Sequence, residues 1–340
     1  MGNSLPSTMK AIQLDKPNGT LTVQEVPIPR PKKGLVLIRM AASPINPTDL
    51  NSLTGAKLYG ERNYPFTPGV EGSGTVVAAG EGVLPRFLLG KRVACVAPVP
   101  RNGTWAEYML TSATRCVPLK KTVSLEQGAM LMVNPLSALA IFDIAKSGGH
   151  QAIVSTAAAS ALGGMILRLG KRFGIPIINT VRREAQMDLV RQRGGEFILN
   201  SRDPDFVQQL SETTHRLKAT LFLDAVGGNL TQKLADAAPY KSTILLYANL
   251  SRKDCDIKTQ TALHKHLKLE GFYLSNWSRE NGFVKSIRQA YRAQSLVETD
   301  LYSPIAQYLP LEETPQAIQM YMSDMTAGKI LLVANSEIGR

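Results

Sequence analysis

The stretch STAAASALGGM (155–165) decides how the second half of this chain is read. It follows the apolar run QAIVST (151–156) and leads into ILRLGKRFG. Across that join Leu162, Met165, Ile166, Leu169 and Phe173 fall at helical spacing on one face. A continuous apolar run of this length suits a strand buried on both faces. Strand, tight turn and helix in that order are where a doubly wound sheet meets phosphate, because the helix N-terminus presents free N–H groups and a partial positive charge. Glycine is wanted in such a turn for positive φ and for close approach of the backbone. Here only Gly163 and Gly164 remain, both inside the helical pattern. Ala157, Ala158, Ala159, Ser160 and Ala161 are all small, so close approach is preserved. An alanine forced to φ > 0 costs about 1 kcal/mol, and the turn is expected to avoid that geometry. Ser160 is suited either to cap the helix or to give its hydroxyl to phosphate. On its own the stretch reads equally as a phosphate turn or as a packed strand-to-helix corner.

The flanking sequence repeats the same rhythm. PIINTV, EFILN, ATLFLDAVGG, STILLYA and KLEGFYL read as strands, and EAQMDLVRQRGG and LTQKLADAAP as helices between them. Such alternation predicts a parallel sheet wrapped by helices with right-handed crossovers. Before it the pattern differs: LTVQEV, LVLIRM, GSGTVVAAG, KRVACVAP and WAEYMLT are short β-type runs separated by turns such as PIPRPKKG and NYPFTPG. That is an all-β, barrel-like unit. A last helix (EETPQAIQMYMSDM) and strand (GKILLVA) are expected to return to it. The expected domains are 1–128, completed by about 300–340, and 129–299.

The second strand of the alternating half ends INTVRRE, with Arg182 and Arg183 at the position facing an adenosine ribose. An acid there accepts from the ribose 2′-hydroxyl of NAD. A guanidinium instead pairs with a 2′-phosphate through charge-assisted hydrogen bonds of about 1.5–3 kcal/mol each. The expected cofactor is therefore NADPH. Two solvated arginines opening a surface helix are the plain alternative, although the helix dipole disfavours cations at that end.

Composition narrows the class. The chain has 340 residues, 44% hydrophobic, enough for about two domains with cores of their own. No run approaches the ~20 apolar residues of a membrane span, and MGNSLPSTMK resembles neither a secretory signal nor a transit peptide, so a cytoplasmic address and no membrane are expected. The 3 cysteines, Cys95, Cys116 and Cys255, lack zinc-site spacing. The net charge of +12 is spread singly and in pairs such as Lys120-Lys121, without a long basic run or interleaved aromatics, so nucleic acid is not the expected partner.

These pieces, in order, resemble the zinc-independent branch of the medium-chain dehydrogenases/reductases, which contains the quinone oxidoreductases and the 2-enoyl thioester reductases. The resemblance is carried by SPINPTDLNSLTG (43–55), PGVEGSGTVVAAG (68–80), GKRV (90–93), GTWAEY (103–108), VNPLSALAIF (133–142), SALGG (160–164), INTVRRE (178–184), LDAVGG (223–228), LLYANLS (245–251), LKLEGFYLSNW (267–277) and GKILL (328–332). It implies an α/β fold, a Rossmann-type doubly wound parallel sheet plus a GroES-like β-barrel domain. Zinc-dependent members carry a Cys and a His close together, a GHE motif and a four-cysteine loop. Here Ile45-Asn46-Pro47 and Val70 stand at the first two, and no metal is expected.

Carried over position by position, the resemblance puts Asn134 at the nicotinamide side and Ser160, Ala161, Leu162 and Gly163 at the pyrophosphate. Arg182 and Arg183 take the 2′-phosphate, while Tyr247, Phe272, Ser275 and Lys329 line the rest of the cofactor site. Related reductases place a proton-donating tyrosine where this chain has Lys57; Tyr59 is the candidate nearby, ahead of Tyr64, and Asn46 is a candidate polar contact for nicotinamide and substrate. The expected function is an NADPH-dependent reductase of an activated C=C bond, in an enone or enoyl thioester, or of a quinone, acting on a small molecule and working as a homodimer. The alternative is a non-catalytic NADPH-binding sensor, or an RNA- or protein-interacting member of the same fold.

Overall fold

The structure, a computed structural model, describes residues 5–55, 61–98, 100–334 and 338. The chain divides into two compact units, one of Met1–Val133, Ala290–Glu298 and Tyr302–Arg340, the other of Asn134–Gln289 and Thr299–Leu301.

In the first unit β1 (Thr8–Leu14) and β2 (Leu21–Pro27) pair antiparallel. There follow β3 (Leu35–Pro44), α1 (Pro47–Leu53), β4 (Glu71–Ala79), α2 (Val83–Leu88), β5 (Arg92–Val96), β6 (Tyr108–Ser112), β7 (Cys116–Pro118) and α3 (Leu125–Ala129). The long apolar run of β3 is nearly all buried, since it pairs antiparallel with both β4 and β6. α1 starts abruptly because Pro47 cannot donate a hydrogen bond and Asp49 reaches back, its carboxylate accepting the Asn46 N–H at 2.8 Å.

The second unit contains α4 (Asn134–Ser147), β8 (Ala152–Ser155), α5 (Ala161–Phe173), β9 (Ile177–Val181), α6 (Glu184–Gln192), β10 (Phe197–Asn200), α7 (Phe206–Leu217), β11 (Ala219–Asp224), α8 (Asn229–Ala237), β12 (Thr243–Leu246), α9 (Thr259–Lys265), β13 (Lys268–Gly271) and α10 (Leu274–Gln294). Its six strands are all parallel, in the order β10-β9-β8-β11-β12-β13. The chain winds outward from β8 to β10 and then returns to the other side of β8. The order therefore reverses between β8 and β11, and ligands of such sheets bind at the strand ends beside that reversal. β8 and β9 are buried throughout, as their unbroken apolar character requires. α5 turns Met165, Ile166 and Leu169 inward and stops at Gly174, which takes a left-handed φ of 67°.

KLEGFYL does not run through as a strand. β13 ends at Gly271; the Phe272 N–H makes one more sheet bond, to the Leu246 carbonyl at 2.7 Å, and the Tyr273 carbonyl then accepts the N–H groups of Asn276 and Trp277 as α10 begins.

The chain closes on the first unit with β14 (Ile305–Pro310), α11 (Thr314–Ser323) and β15 (Lys329–Val333). β15 is parallel to β14 and antiparallel to the end of β3, and the Ile45 N–H donates to the Ile330 carbonyl at 3.1 Å. That pairing brings Lys329 to the start of α1.

Candidate cofactor site and buried charge network

The turn between β8 and α5 is built without glycine, yet it takes the conformation glycine would supply. Ala157 has φ 49°, in the left-handed region. The expectation that the turn avoids positive φ is therefore corrected: about 1 kcal/mol of backbone strain is accepted there and offset by bonds on either side. The Ala158 N–H donates to the Thr180 carbonyl of β9 at 3.2 Å, and the Ser160 N–H to the Ala157 carbonyl at 2.9 Å. Ser160 is the N-cap of α5, its hydroxyl oxygen accepting the Gly163 N–H at 3.1 Å. Gly163 is needed because a Cβ there would lie 2.5 Å from the Ala158 carbonyl oxygen. Ala161 and Leu162, both half-buried, complete the first turn.

Neighbouring strand ends are tied to this turn. Asp224, ending β11, accepts the N–H groups of Val226 at 2.8 Å and Gly227 at 3.1 Å and the hydroxyl of Thr231 at 2.7 Å. The Thr156 hydroxyl accepts the Ala225 N–H at 2.8 Å. Tyr247 follows β12, with its N–H on the Asp224 carbonyl at 3.0 Å. Among the described residues its phenol oxygen is buried without a hydrogen-bond partner, as are the hydroxyls of Ser155, which ends β8, and of Thr180, next to the last residue of β9. Burial raises the Tyr247 phenol pKa above its ordinary value and keeps it a neutral donor. Unsatisfied hydroxyls at the C-terminal side of β9, β8 and β12, on both sides of the point where the strand order reverses and beside a turn of small residues, fit a polar ligand such as a nicotinamide dinucleotide.

Arg182 and Arg183 follow β9, and both are exposed. Arg183 is the N-cap of α6 but makes no capping bond through its side chain. Among the described residues neither guanidinium has an ion-pair partner. Glu184, the nearest acid, accepts instead from the Asn200 amide at 3.2 Å. Asn134 begins α4 and is half-buried, Phe272 is half-buried beyond β13, and Ser275 is exposed in the first turn of α10. Tyr59 lies outside the described residues.

In the first unit, Asn46, Asp49, Glu71 and Lys329 form one buried cluster, each no more than 2% exposed. The Asn46 amide nitrogen donates to Glu71 Oε1 at 2.9 Å, and its oxygen accepts from Lys329 Nζ. The other Glu71 oxygen accepts the N–H groups of Met132 and Val133, each at 2.9 Å, just before Asn134. Asp49 accepts the Val70 N–H at 2.8 Å. Burial pushes both carboxyls up to about 7, against the pull of Lys329 and their hydrogen bonds. The same burial lowers the Lys329 ammonium pKa, against the two carboxylates that raise it.

Asn46 and Lys329, both expected as contact residues, are buried in this cluster and bonded to each other, and Lys329 Nζ also donates to the Ile45 carbonyl at 3.4 Å. Asp49, Glu71 and the turn-binding Arg193 were not anticipated. The signal for Glu71 is an acid within GVEGSGTVV, a strand otherwise of small and apolar residues. Among the described residues no group of three His, Cys, Asp or Glu could hold a metal ion. No helix among them is long and apolar enough to cross a membrane.

Residues 32–121 match the alcohol dehydrogenase GroES-like domain and residues 161–289 the zinc-binding dehydrogenase domain. A crystal structure from Mesorhizobium loti, carrying the provisional name NADPH:quinone reductase, is 33% identical with a TM-score of 0.90, over 97% of this chain and 100% of that one. A second with the same provisional name, from Bacillus thuringiensis, is 26% identical with a TM-score of 0.86, over 98% of this chain and 100% of that one. The mitochondrial enoyl-[acyl-carrier-protein] reductase of Arabidopsis thaliana is 27% identical over 333 residues, 92% of this chain and 83% of its own.

Proposed function

The chain belongs to the medium-chain dehydrogenase/reductase family, in its quinone oxidoreductase and enoyl reductase type, and from that membership we propose a zinc-independent, NADPH-dependent reductase of an activated C=C bond or of a quinone. It is an oxidoreductase of a family that uses a nicotinamide cofactor; the preference for the phosphorylated form and the substrate class are the proposal. The observation that carries the preference is the exposed Arg182–Arg183 pair after β9, unpaired among the described residues while Glu184 is turned away to Asn200.

When bound, the nicotinamide supplies a hydride. Ser160 and the first turn of α5 would bind the pyrophosphate, with Gly163 keeping the helix close to the turn. Arg182 and Arg183 would hold the 2′-phosphate, and the Tyr247 hydroxyl would gain the acceptor it lacks. Phe272, held next to Tyr247 by its bond to Leu246, would pack against the cofactor with Ser275. Asn134 would orient the nicotinamide, and the Glu71 carboxylate fixes the two N–H groups before it. Asn46 and Lys329 act as positioning residues for Glu71. For an enone or enoyl thioester, hydride goes to the β carbon and a proton must reach the α carbon. Tyr59 is the proposed donor, whereas a quinone needs no fixed one.

Loss of NADPH absorbance over a panel of enones, enoyl thioesters and quinones tests the reading. Turnover that survives chelator treatment is expected; saturable NADPH binding with no turnover of any of them would overturn it. The non-catalytic alternative has no specific observation in its favour. We also propose a homodimer joined through β13, the outer strand of the parallel sheet, where Leu269 is 50% exposed; a monomer by sedimentation would reject it. The cytoplasm is the proposed compartment, although the enoyl-[acyl-carrier-protein] reductase relatives are named as mitochondrial, and fractionation of a tagged chain decides.

A further inference from the structure

The Arg193 guanidinium donates to the Ala159 carbonyl at 2.9 Å, across 34 residues of sequence. Ala159 belongs to the glycine-free turn that holds Ala157 at φ 49°. We propose that Arg193 is a positioning residue that locks this alanine turn in the left-handed conformation needed to present its N–H groups to the cofactor pyrophosphate.

Three further observations support this role. Among the described residues no carboxylate pairs with Arg193, and burial lowers its pKa, so desolvating it is not offset by an ion pair. It also lies close enough to Arg168 for the like charge to lower that residue's pKa. A guanidinium kept half-buried beside another needs a compensating use, and a charge-assisted bond to the turn provides one. Finally, Gly164 leaves room for it: a Cβ there would sit 3.3 Å from Arg193 Nη1 and 3.4 Å from Arg168 Nη1. The two glycines in SALGG thus differ: a Cβ at Gly163 would collide with the Ala158 backbone, whereas one at Gly164 would press only on the tips of the two arginine side chains.

Glycine at position 157 would adopt the left-handed conformation unaided. If Arg193 works by holding Ala157 there, Ala157→Gly makes Arg193 largely dispensable. If it acts in another way, Ala157→Gly changes nothing.

The inference rests on the nicotinamide reading but not on the preference for NADPH. Cofactor binding is measured by fluorescence titration on the full chain for wild type, Arg193→Met, Arg193→Lys, Ala157→Gly and Ala157→Gly/Arg193→Met. Arg193→Met is expected to raise Kd about tenfold for NADPH and NADH alike, one charge-assisted bond's worth, with kcat at saturating cofactor changed less than about twofold. Ala157→Gly is the reference background, and the double variant is expected to bind within about threefold of it. Arg193→Lys, which keeps the charge and a donor, falls between and serves if the Met variant does not fold. Normal binding by Arg193→Met, or by Arg193→Lys where only that variant folds, overturns the inference. So does a loss confined to NADPH, or a double variant no better than Arg193→Met alone. Wild type that binds neither cofactor would instead overturn the nicotinamide reading itself.

Discussion

Lys329 donates its ammonium to the side chain of Asn46, 283 residues earlier in the chain, and both are buried. The bond makes Asn46 a bridge between a cation and the Glu71 carboxylate, which in turn holds the backbone before Asn134.

Removing one side of this cluster should leave the other buried and uncompensated. Lys329→Met is expected to lose about 3–5 kcal/mol of stability in urea unfolding. The double variant Lys329→Met/Glu71→Gln should lose less than the sum of the two single losses, because each single change strands the partner charge. Strict additivity would show that the residues do not act together.

The same cluster sets a pH dependence. Asp49 and Glu71 have folded-state pKa values of about 7, above the unfolded value near 4. Between these the folded protein holds more protons than the unfolded chain, so stability falls as pH rises from about 4 to about 7. Lys329, lowered by burial, adds the opposite slope on the alkaline side, below its ordinary value. Unfolding free energy measured across this range should show the fall, and Glu71→Gln should flatten it.

Arg182→Ala/Arg183→Ala is expected to weaken NADPH by about tenfold to hundredfold and NADH by less than about threefold, the difference being the lost bonds to one phosphate at an exposed site. Equal weakening of both cofactors would remove the pair from the 2′-phosphate.

Ala161, the first residue of α5, tests the turn from its other side. Ala161→Val should raise the Kd for NADPH more than about tenfold while costing less than about 1 kcal/mol of stability, since a branched residue in a first helical turn is mildly unfavourable. A variant that binds normally would make the segment a packed corner alone.

Much of the architecture was legible because it depends on local pattern. Unbroken apolar runs such as QAIVST and PIINTV mark buried parallel strands, and the spacing of Met165, Ile166 and Leu169 marks α5. α7 was legible in principle, since Phe206, Leu210 and Thr214 recur every fourth residue and are buried, and the turn-forming segment NSRDPD (200–205) precedes them. The end of β13 was not, because Phe272 and Tyr273 have strand-like character and only the backbone bonds show where sheet gives way to helix.

By itself, then, the sequence determined the two kinds of unit, the small-residue turn and the arginines beyond the second strand, all of which follow from short-range spacing and residue type. Only the tertiary structure decided that Ala157 takes the conformation of a glycine, that Arg193 reaches its turn, and that Asn46, Glu71 and Lys329 share one buried cluster. Sheet pairing and helix packing bring such residues together across tens to hundreds of positions, and the cost of burying each charge or straining each torsion is met by a partner that its neighbours in sequence do not reveal.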